Sequence, residues 1–450
     1  MTSASSYSEY ENIRADDLSA QARDIFENTL GLPRDSVASA PGSTGAESER
    51  FVQEFRLQSN QSDRFEWQLG LFYTKEEAVN QSLVQVELVP PNAQILFGIG
   101  EPFAPFIQGD SILIQDVVFT SEFEELAGFV NAKYFFRPDL DIDLGVRYSD
   151  TENNTDFDYD GLFVDPNASS VNSATESVTT YRAALSWRVE DTLSLYASVA
   201  TGYRPGWSNA AVVNIQTGET SDPFIESDEL ISYELGAKGA LRDGELNYDI
   251  ALWYQDWEDF QSSETFPGQG TFGGNGDATI VAMGFEATVN ALLTDSLLIQ
   301  GTLAYADSEL DGDSEQLNGI DGEQTRNLPE WTASLRATYN FPITQTIDGS
   351  IVLGLRYTDE FNTAYIGNFE PGLSGQPIQA PIDSILVTDL STSFTAGNYR
   401  VNLYATNLFN DDDLDGGSAS SFFVPGVSNA RGRGVPLQPR TVGVSLRYSF

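Results

Sequence analysis

Histidine and cysteine are both absent from the 450 residues, which removes most covalent chemistry at the outset. Ser-His-Asp and Cys-His arrangements cannot be built, and neither can Cys/His zinc sites. Carboxylates are the opposite case. With 67 Asp and Glu against 23 Lys and Arg, for a net charge of −44, acid pairs occur everywhere, so a pair by itself marks no acid–base centre. No catalytic residue, metal site or cofactor is expected. Asp411, Asp413, Asp415 and Gly416 match the opening of a calcium loop, D-x-D-x-D-G. The twelfth position is Phe422, where an EF-hand places a bidentate Glu, so a solvated acidic loop is the better reading. Gly268, Gly270 and Gly273 match G-x-G-x-x-G. They sit in a long loop without strand–helix context and read as a flexible connection.

The charge balance argues against nucleic acid, because phosphate binding runs on Lys and Arg. It also argues against docking on an anionic membrane surface. Apolar residues make up 40% of the chain, and no run approaches the roughly 18 to 20 needed for a spanning helix. The first ten residues, M-T-S-A-S-S-Y-S-E-Y, lack a basic region and an apolar core, so a leader upstream of Met1 is expected for export.

The elements that must position any site are strands. The chain closes on R-T-V-G-V-S-L-R-Y-S-F, in which Val442, Val444, Leu446, Tyr448 and Phe450 fall on one side of an extended strand. Thr441, Gly443, Ser445, Arg447 and Ser449 fall on the other. One apolar face and one polar face separate lipid from water, which is the pattern of an outer-membrane β-barrel. The same alternation recurs at 140–149, 246–255 and 351–357. Strands are predicted near 3–14, 51–59, 65–79, 121–136, 139–157, 176–189, 192–204, 227–241, 244–262, 278–293, 296–310, 327–340, 348–363, 383–396, 399–411 and 438–450. Tight connections such as Arg137-Pro138-Asp139, Arg242-Asp243-Gly244 and Ala396-Gly397-Asn398 alternate with long polar ones. The fold class is therefore all-β: a transmembrane antiparallel up-and-down barrel of about sixteen strands, with short periplasmic turns and long extracellular loops. One domain over residues 1–450 is expected, with 1–50 as a first strand and long loop and 51–450 as the barrel strands and loops. A short helix is predicted within 15–32.

Several stretches resemble the TonB-dependent receptor family. R-F-V-Q-E-F-R-L-Q-S with F-E-W-Q-L-G-L-F-Y-T-K-E-E (50–59 and 65–77) resembles its mid-barrel hairpin. Y-A-S-V-A-T-G-Y-R-P-G-W-S-N (196–209) and S-D-E-L-I-S-Y-E-L-G-A-K-G (227–239) resemble later strands. N-L-Y-A-T-N-L-F-N-D (402–411) and the terminal G-V-S-L-R-Y-S-F resemble the closing ones. The resemblance implies a receptor in the outer membrane of a Gram-negative bacterium that imports ferric siderophores, cobalamin or glycans. It implies as partners the lipid bilayer with its lipopolysaccharide, a small solute, and the TonB complex acting through a plug. The family's barrel has twenty-two strands and a plug, and residues 1–50 are too few for the plug and six strands. The chain is therefore expected to be the C-terminal part of such a barrel. A reduced sixteen-strand barrel that closes on itself stays open as an alternative, with Ser3 to Arg14 the only candidate partner for the last strand.

Strand phase aims Arg147, Arg204, Lys238, Arg356, Arg400 and Arg447 into the lumen. They fit contacts to acidic solute or plug groups, or ion pairs with lumen Asp and Glu. Trp253 and Trp257 share the lumen face of one strand, and Trp207 begins an external loop. These rings fit stacking on a flat or sugar-like solute, or packing against folded-in loops. Tyr148, Tyr357, Tyr448 and Phe450 face lipid and read as membrane girdle. Two rival functions remain: a passive, cation-favouring diffusion channel of sixteen strands, and a soluble β-rich glycan-binding protein.

Overall fold

The computed structural model describes all residues except 31–32, 63, 90–105, 163–169, 209–222, 267–269, 315–318, 364, 366–380 and 421–430. Sixteen long strands run through the described residues. They are β1 (Thr2–Asp17), β2 (Pro41–Gln58), β3 (Phe65–Leu88), β4 (Ser111–Arg137), β5 (Leu140–Asp160), β6 (Ser170–Glu190), β7 (Leu193–Arg204) and β8 (Asp228–Leu241). They continue as β9 (Leu246–Glu258), β10 (Thr279–Thr294), β11 (Leu297–Asp311), β12 (Trp331–Thr344), β13 (Ile347–Thr358), β14 (Ile385–Ala396), β15 (Tyr399–Thr406) and β16 (Thr441–Tyr448). Each is antiparallel to the next in chain order, from β1 with β2 to β15 with β16. Among the described residues no helix is long and apolar enough to cross a membrane, a statement that says nothing of strands.

The period of two expected from the residues is the period observed. Leu71, Leu126, Val146, Leu235, Leu252 and Val444 stand exposed on one face of the sheet. Thr74, Ser149, Thr151 and Asn153 are buried on the other. An apolar side chain is stable facing outward only if lipid replaces water there. From Leu140 to Tyr148 on β5 the outward face rises eight residues, about 26 Å along the strand and about 20 Å once the strand is tilted. That covers most of the roughly 25 Å apolar band of such barrels. Rings mark the two levels. Tyr399, Tyr448 and Phe450 contact one another at the lower rim, with centroids 4.8 and 5.0 Å apart. Phe285, Tyr305 and Trp331 do so at the upper rim, at 4.7 to 6.1 Å.

Above the bilayer level the early strands continue. β3 and β4 run to 24 and 27 residues, so that β3 reaches Leu88 and β4 starts at Ser111 within the stretch from about 80 to 120 that the sequence reading had as a loop. Apolar residues there fall on both faces, as in Leu83-Val84 and Ile112-Leu113-Ile114, so strict alternation stops signalling a strand although the ladder persists. A register shift at Val84/Gln85 changes the facing of β3 against β4, as a bulge does. A small apolar cluster then forms at the top from Val84, Val86, Ile112 and Ile114 with Ala22 and Phe26. The last two belong to helix α1 (Ser19–Leu30), the short helix expected between the first two strands. It is held at its start by the Ser19 N–H on Asp17 at 2.9 Å and the Leu18 N–H on the Ala40 carbonyl at 2.9 Å.

One expectation is corrected. Ser3 to Arg14 does not close the barrel on the last strand. Within the described residues β1 pairs only with β2 and β16 only with β15, and both strands are exposed along nearly their whole length. Among the described residues the sheet is a meander whose first and last strands each have one neighbour. Closure needs both edges to reach each other at one diameter and stagger, which a strand's local alternation does not encode.

The outward band yields a first expectation. Leu252→Arg, at mid-band on β9, lowers unfolding stability by about 2–4 kcal/mol in urea titrations from lipid vesicles. Asn247→Arg, on the lumen face of the same strand, leaves the midpoint within about 0.5 kcal/mol of the parent.

Candidate functional site

The inner wall is where charged and aromatic side chains meet. The basic residues expected there are present on it, and most are spoken for by acids on adjacent strands. Arg147 on β5 reaches Glu125 on β4 at 2.5 Å, donates to Ser149 Oγ at 3.0 Å, and lies 4.8 Å over the Phe72 ring. Lys238 on β8 pairs with Asp249 on β9 at 2.9 Å and stands 5.4 Å over Tyr196. Arg356 on β13 approaches Asp389 on β14 at 3.7 Å and is largely exposed. Arg400 donates to Thr395 Oγ1 at 3.2 Å. Its cross-strand partner is Arg447, a like-charge pair that disfavours this register locally. Arg336 and Arg182 also fall on the inner face, opposite Gly354 and Gly145. The sequence reading missed both, although the same alternation carries them.

Arg204 organises the upper wall. It closes β7, and Asp228, buried to 1% exposure, opens β8 directly opposite. The Asp228 carboxylate accepts the Arg204 backbone N–H at 2.8 Å, its Nε at 2.6 Å and the Gln261 N–H at 3.3 Å, and it also pairs with the Arg204 terminal nitrogen. Arg204 in turn donates to the Gln261 carbonyl at 3.1 Å and lies 4.6 Å over Trp257. A carboxylate this buried is stable only with such charge-assisted bonds. Glu176 on β6 plays a similar part, accepting the backbone N–H of Gly206 and Ser227, each at 2.9 Å. A Cβ on Gly206 would come within 2.5 Å of that carboxylate, so only glycine permits the approach. Neither Asp228 nor Glu176 stood out among the many acids of the sequence, because their role depends on strands that are distant in the chain.

The three tryptophans separate. Trp207 is 38% exposed in a short pairing of 207–208 with 224–225, and lies apart from the other two. Trp257 packs on Phe260 at 6.1 Å, in a cluster with Ile280, Leu310 and Tyr365. Trp253, one turn of the pleat lower, lies against Gly284 of β10, where a Cβ would come within 2.6 Å of its ring. Trp253 and Trp257 both line a cleft of about 560 Å³ between β9, β10 and β11 and the segment 325–332. Their indole nitrogens are buried and have no hydrogen-bond acceptor among the described residues. On the outward face stand Tyr148 at 52% exposure and Tyr448 and Phe450 beside Tyr399, while Tyr357 donates to Asp359 at 2.8 Å.

The acidic loop gathers no metal set. Among the described residues no group of three or more His, Cys, Asp or Glu is placed to hold an ion, and Phe422 lies outside the described residues. The Asp411 N–H donates to Asn407 Oδ1 and the Asp413 N–H to Asp411 Oδ1. A hydrogen bond to Asp411 and its charge push the Asp413 carboxyl above the usual carboxylate range. In the loop above the cleft, burial pushes the Tyr365 phenol up. Of the glycine match, Gly268 lies outside the described residues, and Gly270 and Gly273 fall in a short hairpin of 261–266 with 270–275.

A sheet that is apolar outside and polar inside, with its upper loops tied to the inner wall, defines the wall of an outer-membrane β-barrel receptor. The chain belongs to the TonB-dependent receptor family: its residues 3–408 match the "TonB dependent receptor-like, beta-barrel" family. A probable TonB-dependent siderophore receptor of Acinetobacter baumannii, PiuA, is 24% identical over 242 residues, which is 51% of this chain and 31% of that protein. The ferric yersiniabactin uptake receptor FyuA of Yersinia pestis superposes with a TM-score of 0.68 at 16% identity, over 91% of this chain and 55% of that one. BauA, the ferric preacinetobactin receptor of Acinetobacter baumannii, superposes at 0.61 with 13% identity, over 100% of this chain and 60% of its own. The chain thus spans less than two thirds of the length of these relatives.

Removing the central carboxylate tests the upper wall. Asp228→Asn strips the charge from a site shared by Arg204 and Gln261. It is expected to cost about 2–3 kcal/mol in urea titration, at the lower end for a buried pair because Arg204 is half exposed. The amides of Arg204 and Gln261 should lose hydrogen-exchange protection ahead of those in mid-strand.

Proposed function

We propose that the chain forms the solute-binding barrel wall of an uptake receptor that imports a ferric siderophore or a comparably scarce small solute. Import would be driven by the TonB complex through a plug domain. Membership of the TonB-dependent receptor family over residues 3–408 carries the reading, and the inner wall supports it. Its upper half holds aromatic rings and paired charges beneath loops anchored inward by Asp228 and Glu176. No nucleophile–base pair is expected from a chain without His or Cys, so the proposed role is transport without covalent chemistry. Arg147, Arg204, Trp207, Lys238, Trp253, Trp257, Arg356, Arg400 and Arg447 are the proposed contacts to solute or plug. Tyr148, Tyr357, Tyr448 and Phe450 are the proposed contacts to the bilayer and its lipopolysaccharide. The exposed apolar band disfavours a soluble glycan-binding protein, and the lack of pairing between β1 and β16 among the described residues disfavours a sixteen-strand pore.

Uptake in the host cell tests this. Deleting the gene should lower accumulation of one radiolabelled chelate or solute at least about tenfold under limitation. In the parent strain, a protonophore should abolish that accumulation, since the proton gradient is the proposed drive. Accumulation that survives the protonophore and rises linearly with concentration would mean a passive pore.

A further inference from the structure

We propose that a trough along the outward face of β7 is a binding site for one acyl chain of an outer-leaflet lipid whose headgroup carries an ammonium group. The proposal needs the outward face to meet lipid. It does not depend on which solute the receptor imports.

The trough follows from the register. Two rows of outward residues cross β6, β7, β8 and β9. One row is Ala183, Val199, Tyr233 and Tyr254, and the other is Leu185, Ala197, Leu235 and Leu252. Leu185, Leu235 and Leu252 are 43, 59 and 57% exposed, which puts their face of the sheet on the lipid side. Ala183, Ala197 and Val199 are small, and the residues flanking them are large. β7 is therefore the floor of a trough walled by Leu185 and Ile142 on one side and by Tyr233 and Leu235 on the other. The space they line measures about 620 Å³.

Within a bilayer an apolar surface has no drive to leave lipid, so packing and polar contacts decide what occupies it. Tails that bridge the trough leave its floor without partner atoms and forfeit dispersion contacts. A chain lying in it touches β7 below and side chains on both flanks. The upper end of the trough sets the leaflet and the headgroup. Tyr233 stands eight residues from Leu241, and Tyr254 eight from Leu246, as Tyr148 does from Leu140. The two rings, 6.3 Å apart, thus mark the extracellular girdle. Just above them the same face carries Glu229, Asp256 and Glu258, with Glu229 directly opposite Glu258. The basic residues of β6 to β9 (Arg182, Arg188, Arg204 and Lys238) all have the other parity and face inward. Three carboxylates without a base on their face repel a phosphate headgroup and attract an ammonium. They also disfavour a second copy of the chain, because a two-fold contact across the trough brings both sets of carboxylates together.

The test reads lipid retention by native mass spectrometry on the whole chain in detergent micelles. Phosphatidylethanolamine and phosphatidylglycerol with identical acyl chains are titrated separately. The expected result is one phosphatidylethanolamine per chain at saturation, with phosphatidylglycerol needing about 3- to 10-fold more for half occupancy. Ala183→Leu with Ala197→Leu fills the floor and should abolish retention. Ala287→Leu, beside Ile250 on the outward face of β10, should leave retention unchanged. Glu229→Gln with Glu258→Gln, both exposed, keeps the trough and should bring the two lipids close to equal affinity. Heat-modifiable gel migration checks that each variant is folded, and the glutamine pair keeps the test in force if the leucine pair does not fold. Retention of neither lipid by the parent, equal retention of both, or a preference that survives the glutamine pair overturns the proposal. So does retention that persists in a folded leucine pair. A dimer of chains in place of a lipid adduct also overturns it and gives the trough to a second copy. Failure of the receptor reading is seen separately, in the uptake assay.

Discussion

In hydrocarbon a backbone N–H or C=O without a partner costs several kcal/mol, so a chain crossing a bilayer as strands must pair each strand with its neighbours. The rest of this structure depends on that ladder. It runs without a skipped neighbour from Thr2–Asp17 to Thr441–Tyr448. Because the ladder holds each strand in register, period-2 alternation gives one face to lipid and one to water along the whole sheet. It also makes the edges consequential. Among the described residues no further strand pairs with β1 or β16, and an unpaired strand edge is a template for further pairing.

On the water side the problem is reversed. The inner face carries charge on strands spaced about 4.8 Å apart, and an acid excess as large as this one would repel itself. The few basic residues are set where they interrupt the acids: Arg147 beside Glu125, Lys238 beside Asp249, Arg204 beside Asp228. Surface pairs of this kind add little stability singly. Their effect is to fix geometry. The buried Asp228 ties the ends of β7 and β8 to the 261 hairpin and thereby holds Arg204 over Trp257. The cleft beside Trp253 and Trp257 exists because those contacts, and the approach of Trp253 to Gly284, hold the upper wall in place. Stability and site are coupled through the same residues.

Much of this was legible in the residues. The number of long strands, the facing of each expected Arg, Lys and Trp, the tight lower turns and the short helix at Ser19–Leu30 all follow from local pattern. Two things did not follow. The upward extension of β3 and β4 was read as loop, because adjacent apolar residues such as Leu83-Val84 and Ile112-Leu113-Ile114 break the period of two. The pairing of β1 with β2 but not with β16 was invisible too, since Ser3 to Arg14 carries an alternation that fits either neighbour. Arg182 and Arg336 were legible by the same phase rule but were passed over.

By itself the sequence determined which side of the wall each residue occupies, because side-chain direction in a strand is set by parity, a property of adjacent residues. It determined the class of protein for the same reason. Only the tertiary structure decided which acid each base meets and which loops fold inward. These outcomes join residues from strands far apart in the chain, such as Glu176 with Gly206 and Trp257 with Leu310. Register, twist and packing across the sheet set those distances, and parity along one strand carries no information about them.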